Sequence, residues 1–299
     1  MKFNITFLGT GQAIPTASRN HISIFISGFG EGMLFDCGEG TQRQFRKAQI
    51  SATKITRIFL SHWHGDHVLG LPGLIQTLNL SNQNKTLEIY GPKGTRKNIE
   101  EMLRVFPSHQ KMKINVNEIT KGKVFENKFF SIESSQMSHT IPCLAYSIVE
   151  KDQFRIDKAK LKKLKIPNSP IIGKLKEGKD ISFNGVKIKA KSLTKFEKGV
   201  KITILFDTTP NENALHLSKE SDILICESTY GDKEEEIAKE YKHMTSRQAA
   251  QMAKKSKSKK LILTHFSQRY ENNEKELLKQ ASEVFSNTHL TNDLDNFSI

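Results

Sequence analysis

The chain has 299 residues, 46 of them Lys or Arg and 32 Asp or Glu, giving a formal net charge of +14 at pH 7. Hydrophobic residues make up 36% and aromatics 8%, enough for the core of one large domain or two ordinary ones, and no run approaches the ~18 apolar residues of a membrane span. Three well-separated cysteines (Cys37, Cys143, Cys226) and no long apolar leader within residues 1–11 exclude an extracellular disulfide scaffold and point to a reduced, cytoplasmic protein without a secretory signal.

Residues 2–8 read as a strand that stops at Gly9-Thr-Gly11, and 21–26 and 33–35 as short strands flanking a glycine-rich turn. Residues 55–60 form a further strand that runs into Ser61-His-Trp-His-Gly-Asp-His67. The apolar spacing of 68–80 predicts a helix despite Pro72 and Gly73, followed by a strand at 87–90 and a helix at 99–105. Strand-like runs follow at 129–132, 145–149, 181–188, 201–206 and 223–226, then a helix over 246–254 and a strand at 261–263. Strands bunched in both halves with helices between them predict a mixed α/β fold with two sheets rather than a βαβ array.

The charge is local. Residues 151–201 hold 16 Lys or Arg against 5 Asp or Glu, which is +11, and the other 248 residues carry only +3. The densest part is Lys158-Ala-Lys-Leu-Lys-Lys-Leu-Lys165, followed by Ile166-Pro-Asn-Ser-Pro170 and Gly173-Lys-Leu-Lys-Glu-Gly178. Ala159, Leu161 and Leu164 make a stripe too thin for a core-facing helix. A short basic helix, a proline-punctuated turn and a hairpin-like return therefore predict a protrusion. Such a segment suits a polyanionic partner, and a solvated lysine-rich insertion has the same composition. The second cluster, Lys254-Lys-Ser-Lys-Ser-Lys-Lys260, reads as a complement to a helix C-terminus.

Three imidazoles and a carboxylate stand within six positions in His62-Trp-His-Gly-Asp-His67. On a loop leaving a strand they can converge on one point, with Gly65 allowing a tight turn, and the donor set suits Zn²⁺, with Mn²⁺ or Fe²⁺ as substitutes. Further ligand candidates follow β-rich runs: His139, Asp207 and His265. Trp63, inside the ligand run, reads as packing before base stacking, and Phe29 and Met33 likewise.

This His-x-His-x-Asp-His run resembles that of the metallo-β-lactamase superfamily. The wider pattern resembles the ribonuclease Z family, endonucleases that remove 3′ trailers from precursor tRNA. It runs through Phe7-Leu-Gly-Thr-Gly11, Pro15-Thr-Ala-Ser-Arg-Asn20, Leu34-Phe-Asp-Cys-Gly-Glu-Gly-Thr-Gln42, Phe206-Asp-Thr208, Cys226-Glu-Ser-Thr229, His243-Met-Thr245 and Thr264-His-Phe-Ser-Gln-Arg-Tyr270. These pieces cover nearly the whole chain, and the lysine-rich arm lies between the third and fourth metal motifs. The sequence departs from the family pattern at Ser169-Pro170 (usually Gly-Pro), Cys226 (usually His), Met244 (usually Ser) and Ala17 (often Lys), positions expected to touch substrate contacts and not metal ligands.

The resemblance implies an αββα sandwich of two mixed sheets with helices outside, a single domain over 1–299 with an inserted tRNA-binding arm at 151–201. It implies two Zn²⁺ per chain, one held by His62, His64 and His139, the other by Asp66, His67 and His265, with Asp207 bridging. A water activated at two such ions ~3.5–4 Å apart would attack the phosphorus, leaving a 3′-hydroxyl on the tRNA and a 5′-phosphate on the trailer. Asp66 is the implied general base as well as a ligand, His243 the general acid and Glu227 its orienting carboxylate. Lys158, Lys160, Lys162, Lys163, Lys165, Lys174 and Lys176 would grip phosphates, while Arg19, Asn20 and Arg269 would position the acceptor end. A homodimer acting on precursor tRNA, without membrane association, completes the implied picture. The nearest alternative is another hydrolase of this fold acting on a small phosphodiester or sulfate ester, which has no use for the arm. A non-catalytic RNA-binding protein is disfavoured because every ligand is present.

Overall fold

Short apolar runs, continuously buried in the central strands Lys201–Leu205, Ile223–Glu227 and Leu261–Thr264, form two seven-stranded sheets whose side chains alternate between the two faces. The computed structural model describes residues 2–81, 85–106, 112–167, 169 and 171–299, so Pro170 of the Ser169-Pro170 pair lies outside the described residues. One sheet runs in the order Asn296–Ser298, Phe3–Gly9, Ser23–Gly28, Glu31–Phe35, Arg57–Phe59, Leu87–Gly91, Ile114–Glu118. Its first four strands pair antiparallel and the rest parallel. The other runs Thr288–Leu290, Leu261–Thr264, Ile223–Glu227, Lys201–Leu205, Cys143–Glu150, Phe130–Met137, Gly122–Glu126, its first four strands parallel.

The alternation decides which face meets what. Leu34 and Ile58 point outward to the helices Thr41–Lys47 and Leu71–Leu80, joining Phe45, Leu71, Leu74 and Leu78 in one core layer. Their neighbours Phe35 and Phe59 stack 5.1 Å apart and meet Tyr146 of the second sheet at 5.8 and 5.4 Å. On the far side, Leu224, Cys226, Leu261 and Leu263 pack beneath the helices Ser246–Lys255 and Glu274–Ser282 through Ala249, Ala250, Ala253 and Leu277. The expected αββα layering is therefore present. The helix foreseen over 68–80 is split into Gly65–Val68 and Leu71–Leu80, and Pro72 is tolerated because it sits in the first turn, where no intrahelical N–H is required. The helix Ser246–Lys255 begins with a capping box between Thr245 and Gln248. Among the described residues no helix is long and apolar enough to cross a membrane.

The chain divides into two compact units, and the second comprises Glu126–Ser131 and Val149–Val200. It is broader than the insertion read from charge alone, because Lys151 bonds Glu126 through Nζ (2.7 Å) and the Phe129 carbonyl through its N–H (2.8 Å). Strands Gln153–Ile156 and Thr194–Glu197 pair antiparallel, and Ile181–Phe183 and Val186–Ile188 form a hairpin. Its Asn184-Gly185 turn has φ of 49° and 78°, the left-handed pair that a two-residue hairpin requires. The unit also has a small core of its own: Leu161, Ile166, Leu175, Ile181, Ala190 and Leu193. This corrects the reading of the helix Lys158–Lys163, whose stripe looks too thin in the sequence to face a core. Ala159 and Leu164 are exposed, but Leu161 is buried among partners far away in sequence.

Tyr146, fully buried, donates its hydroxyl to the Leu60 carbonyl at 2.7 Å, just ahead of the His62 run. Tyr146→Phe leaves that carbonyl unsatisfied and is expected to cost about 1–3 kcal/mol in denaturant unfolding, with metal content unchanged. Stability equal to the parent would show that the carbonyl finds another donor.

Candidate metal centre

The candidate ligands all lie just beyond or at the carboxyl ends of strands, where open sheets present their binding crevice. His62 and His64 follow Arg57–Phe59, His139 follows Phe130–Met137, Asp207 follows Lys201–Leu205 and His265 follows Leu261–Thr264. Asp66 and His67 do not lie on a plain loop: they sit in the short helix Gly65–Val68, whose N-cap is His64. Gly65 opens that helix without a positive φ, so its expected role as a tight-turn glycine does not hold.

Two sets of donor atoms converge. His62 Nε2 is 2.9 Å from His64 Nδ1, which is 3.2 Å from His139 Nε2. Asp207 Oδ2 lies 3.5 Å from His62 Nε2 and 3.7 Å from His139 Nε2. Its other oxygen, Oδ1, faces His67 Nε2 at 3.4 Å and His265 Nε2 at 3.2 Å. Asp66 Oδ2 completes the second set at 3.5 and 3.6 Å from the same two nitrogens. The grouping is the one implied by the resemblance, with Asp207 shared.

The outer Nδ1 of His62, His67, His139 and His265 is held by a partner, which turns Nε2 of each ring toward the centre. Ser61 donates through Oγ to Asp36 (2.6 Å), so it accepts from His62 Nδ1 at 2.9 Å. His67 Nδ1 donates to Asp36 Oδ2 at 2.6 Å, and His139 Nδ1 to the Lys242 carbonyl at 3.1 Å. Thr229 donates to Glu227 Oε2 (2.6 Å) and thus accepts from His265 Nδ1 at 3.0 Å. Such outer partners fix tautomer and ring orientation in metal sites. Asp36, Ser61 and Thr229 are site residues that sequence reasoning misses. All three stand inside or beside the quoted motifs, but their roles exist only through contacts across the fold.

The donor set fits divalent ions. His67 Nε2, His265 Nε2 and Asp207 Oδ1 are buried polar atoms without a hydrogen-bond partner among the described residues, a costly arrangement that a cation relieves. The electrostatics agree. Burial disfavours the charged His67 ring, yet Asp207, Asp66 and Asp36 outweigh it and hold its pKa well above the imidazole range. Burial works against ionised Asp207 too, but His265, His67, His243 and His62 keep its pKa well below the carboxylate range.

Beside the two sets, His243 Nδ1 lies 3.2 Å from both oxygens of Glu227, itself fully buried, and Nε2 lies 3.9 Å from Asp207 Oδ2. Burial lowers the His243 pKa, Glu227 and Asp207 raise it, and the balance is a value of about 9. His243 is close enough to Asp207 and His265 to share an ion. The Ala13 N–H donates to Asp66 Oδ2 at 2.9 Å. A pocket of about 280 Å³ opens onto His64, Asp66, His139, Asp207 and His243.

The remaining expected site residues divide. Lys158, Lys160, Lys162, Lys163, Lys165, Lys174 and Lys176 are all exposed on the second unit. Arg269 is exposed, with its guanidinium 5.7 Å from the Tyr230 ring centre. Arg19 differs from the expectation of an RNA contact: it is 5% exposed and bonded to Glu274, Thr10, the Thr291 carbonyl and Asn292. It clamps the 12–20 loop to the C-terminal segment. Asn20 is half-buried and bonds the Glu39 carbonyl through its amide. Trp63 packs against the core layer and donates to Thr95 at 2.9 Å, as expected. Cys226 and Met244, the two departures nearest the site, are both fully buried in the same apolar layer.

Residues 3–159 match the family model described as Anti-Pycsar protein Apyc1. That match ends before Asp207, Glu227, His243 and His265. The chain is 40% identical over 301 residues to ribonuclease Z of a Bacillus cereus strain, covering 98% of each. Among solved structures it is similar to human tRNase Z, short form, with a TM-score of 0.74, 31% identity and 99% of both chains covered. It also resembles the metallo-β-lactamase fold protein YhfI from Bacillus subtilis, with a TM-score of 0.71, 18% identity, and 99% and 98% of the chains covered. Fold and site thus define a metal-dependent hydrolase with the metallo-β-lactamase fold. Within that class the chain belongs to the ribonuclease Z family, and it is a metal-dependent endoribonuclease that hydrolyses phosphodiesters.

Asp36→Asn places an amide N–H against the N–H of His67 and is expected to lower metal affinity about 10–100-fold, measured by chelator competition with elemental analysis. Unchanged affinity would remove Asp36 from the support of the centre.

Proposed function

We propose that the protein cuts precursor tRNA on the 3′ side of its last mature nucleotide, leaving a 3′-hydroxyl on the tRNA and a 5′-phosphate on the trailer. The observation that carries this reading is the buried Asp207 carboxylate, which offers one oxygen to each of two donor sets. Two divalent ions held by His62, His64 and His139, and by Asp66, His67 and His265, would supply an acidified water and neutralise charge in an in-line phosphoryl displacement. Zinc suits the mixed imidazole and carboxylate donors.

The chain's own residues do the rest. Asp66, steadied by the Ala13 N–H, takes the proton of the attacking water. Glu227 favours the imidazolium form of His243, in which Nδ1–H donates to the carboxylate and Nε2 carries the second proton, and that proton is delivered to the departing 3′-oxygen. Glu227 is pinned in turn by the Thr208 N–H at 2.7 Å and the Thr229 hydroxyl.

Residues 151–201 act as the tRNA-binding arm of a single catalytic domain. Exposed lysines on a separately packed unit suit phosphate contacts, which give affinity and salt dependence with little sequence information. Three buried free cysteines support a cytoplasmic setting, and the family resemblance supports a homodimer, which sedimentation of the purified protein checks. The rival reading, hydrolysis of a small phosphodiester or sulfate ester, leaves the arm without a task.

Replacing Lys158, Lys160, Lys162, Lys163 and Lys165 with Gln is expected to weaken pre-tRNA cleavage at least ten-fold through KM and to flatten its salt dependence. Turnover of bis(p-nitrophenyl) phosphate should hold. Equal pre-tRNA cleavage by the variant would remove the arm from substrate binding. For Glu227→Gln, loss of the carboxylate lowers the pKa of His243 from about 9. The proton is then lost earlier as pH rises, so the alkaline limb of the kcat profile moves to lower pH with metal content intact. An unmoved limb would take His243 out of proton delivery.

A further inference from the structure

Tyr241 is 53% exposed and lines the pocket that opens onto His64, Asp66, His139, Asp207 and His243. Other strongly exposed apolar side chains, such as Leu80 and Val105, lie on helices Leu71–Leu80 and Thr95–Val105 and line no part of that pocket. An aromatic ring open to water on the rim of a reaction centre leaves a π-face available to a base of the substrate.

That placement is firm. The Tyr241 N–H bonds the Ile237 carbonyl (3.0 Å) and the His243 N–H bonds the Ala238 carbonyl (2.7 Å). Between them, Lys242 takes a left-handed φ of 56° and ties to His139 twice: its carbonyl accepts from His139 Nδ1 and its Nζ donates to the His139 carbonyl, both at 3.1 Å. The rings of His139 and His243 are 5.2 Å apart. Tyr241 therefore belongs to the wall that carries His139 and His243, while Asp66 is tied to Ala13 of the 12–20 loop.

We infer that the Tyr241 ring is a stacking platform for the base of the nucleotide whose 3′-oxygen departs, the last nucleotide of the mature tRNA. This rests on the proposed reaction, in which that oxygen meets His243. With His243 at the departing oxygen, the nucleotide bearing it lies along the Tyr241–His243 wall. The pocket is open on this side, and a tRNA 3′ end is single-stranded, so its base is free to leave its neighbours and stack on an aromatic face. Stacking accepts every base, because every base has a π-face. That tolerance suits an enzyme whose substrates differ at this position.

The test compares the parent enzyme, Tyr241→Ala and Tyr241→Phe on pre-tRNA carrying either a normal or an abasic nucleotide at the last mature position. Tyr241→Ala should lose roughly ten-fold in kcat/KM on the normal substrate, and Tyr241→Phe, which keeps the ring, should stay near the parent. The abasic substrate should cost the parent a similar factor and cost Tyr241→Ala almost nothing more. Equal losses for Tyr241→Ala on both substrates would overturn the proposal and mark the residue as structural. So would a non-additive pattern that appears only with the abasic site at the first trailer nucleotide. Intact metal content in Tyr241→Ala guards against a folding defect. If the parent fails to cleave pre-tRNA at all, the underlying reaction falls and this inference with it.

Discussion

The structure turns on one electrostatic constraint: a buried carboxylate, Asp207, surrounded by imidazoles whose lone pairs face one another. Three ring nitrogens within 3.2 Å steps are mutually repulsive when neutral, and burying a charge without a partner costs several kcal/mol. The fold holds the rings of His62, His67, His139 and His265 in this arrangement from outside, through the Asp36–Ser61 pair, the Lys242 carbonyl and Thr229. Part of the backbone strain sits at the same place. Ala13 (φ 31°), Asp36 (φ 55°) and His265 (φ 62°) are non-glycine residues in the left-handed region, a cost that the surrounding hydrogen bonds offset and that typically marks functional sites.

That constraint sets neighbouring imidazoles to opposite protonation states. Burial and then the nearby His67 ring push His62 well below its ordinary pKa, favouring the neutral form that ligates. His243, no less a histidine and only slightly less buried, is carried the other way by Glu227 and Asp207. His67 and His243 each present Nδ1 to a carboxylate, and they differ in what the inner nitrogen faces. In His67 that carboxylate is Asp36, but the inner nitrogen looks onto Asp207 and Asp66 and is committed to the centre. In His243 the carboxylate is Glu227 and the inner nitrogen lies at the pocket. Pairs of groups whose environments drive their pKa values apart are how one site assigns acid and ligand roles.

The ligands are legible in the sequence because each candidate follows an apolar run, and a polar residue at a strand end has few structural duties. Asp207 after Lys201–Leu205 and His265 after Leu261–Thr264 are the clearest cases. Asp36, after Glu31–Phe35, gives the same local signal, yet no spacing links it to His67, 31 positions away. Arg19 misleads for the opposite reason. Arginine in a polar loop reads as exposed, and only the C-terminal segment, 272 and 273 positions on, makes it a clamp. Leu161 likewise looks stranded on a basic helix until residues up to Leu193 supply its core. Local patterns announce elements and ligands, whereas partnerships across the chain have to be seen.

The basic segment gains a different meaning from that small core. A run of lysines with nothing to hold it is an unstructured tether, and its charge acts as a diffuse cloud. Here Leu161, Leu175 and Leu193 fold the segment on itself, so the lysines project from fixed helices and a fixed hairpin. Charges fixed in space can match the spacing of phosphates on a folded polyanion, which a tether cannot do without ordering first and losing chain entropy. A folded arm of this kind suits the proposed recognition of tRNA by shape, since phosphate contacts carry no base identity of their own. The apolar stripe that looks too thin to matter is therefore what fixes the lysines of the proposed tRNA-binding arm on a folded surface.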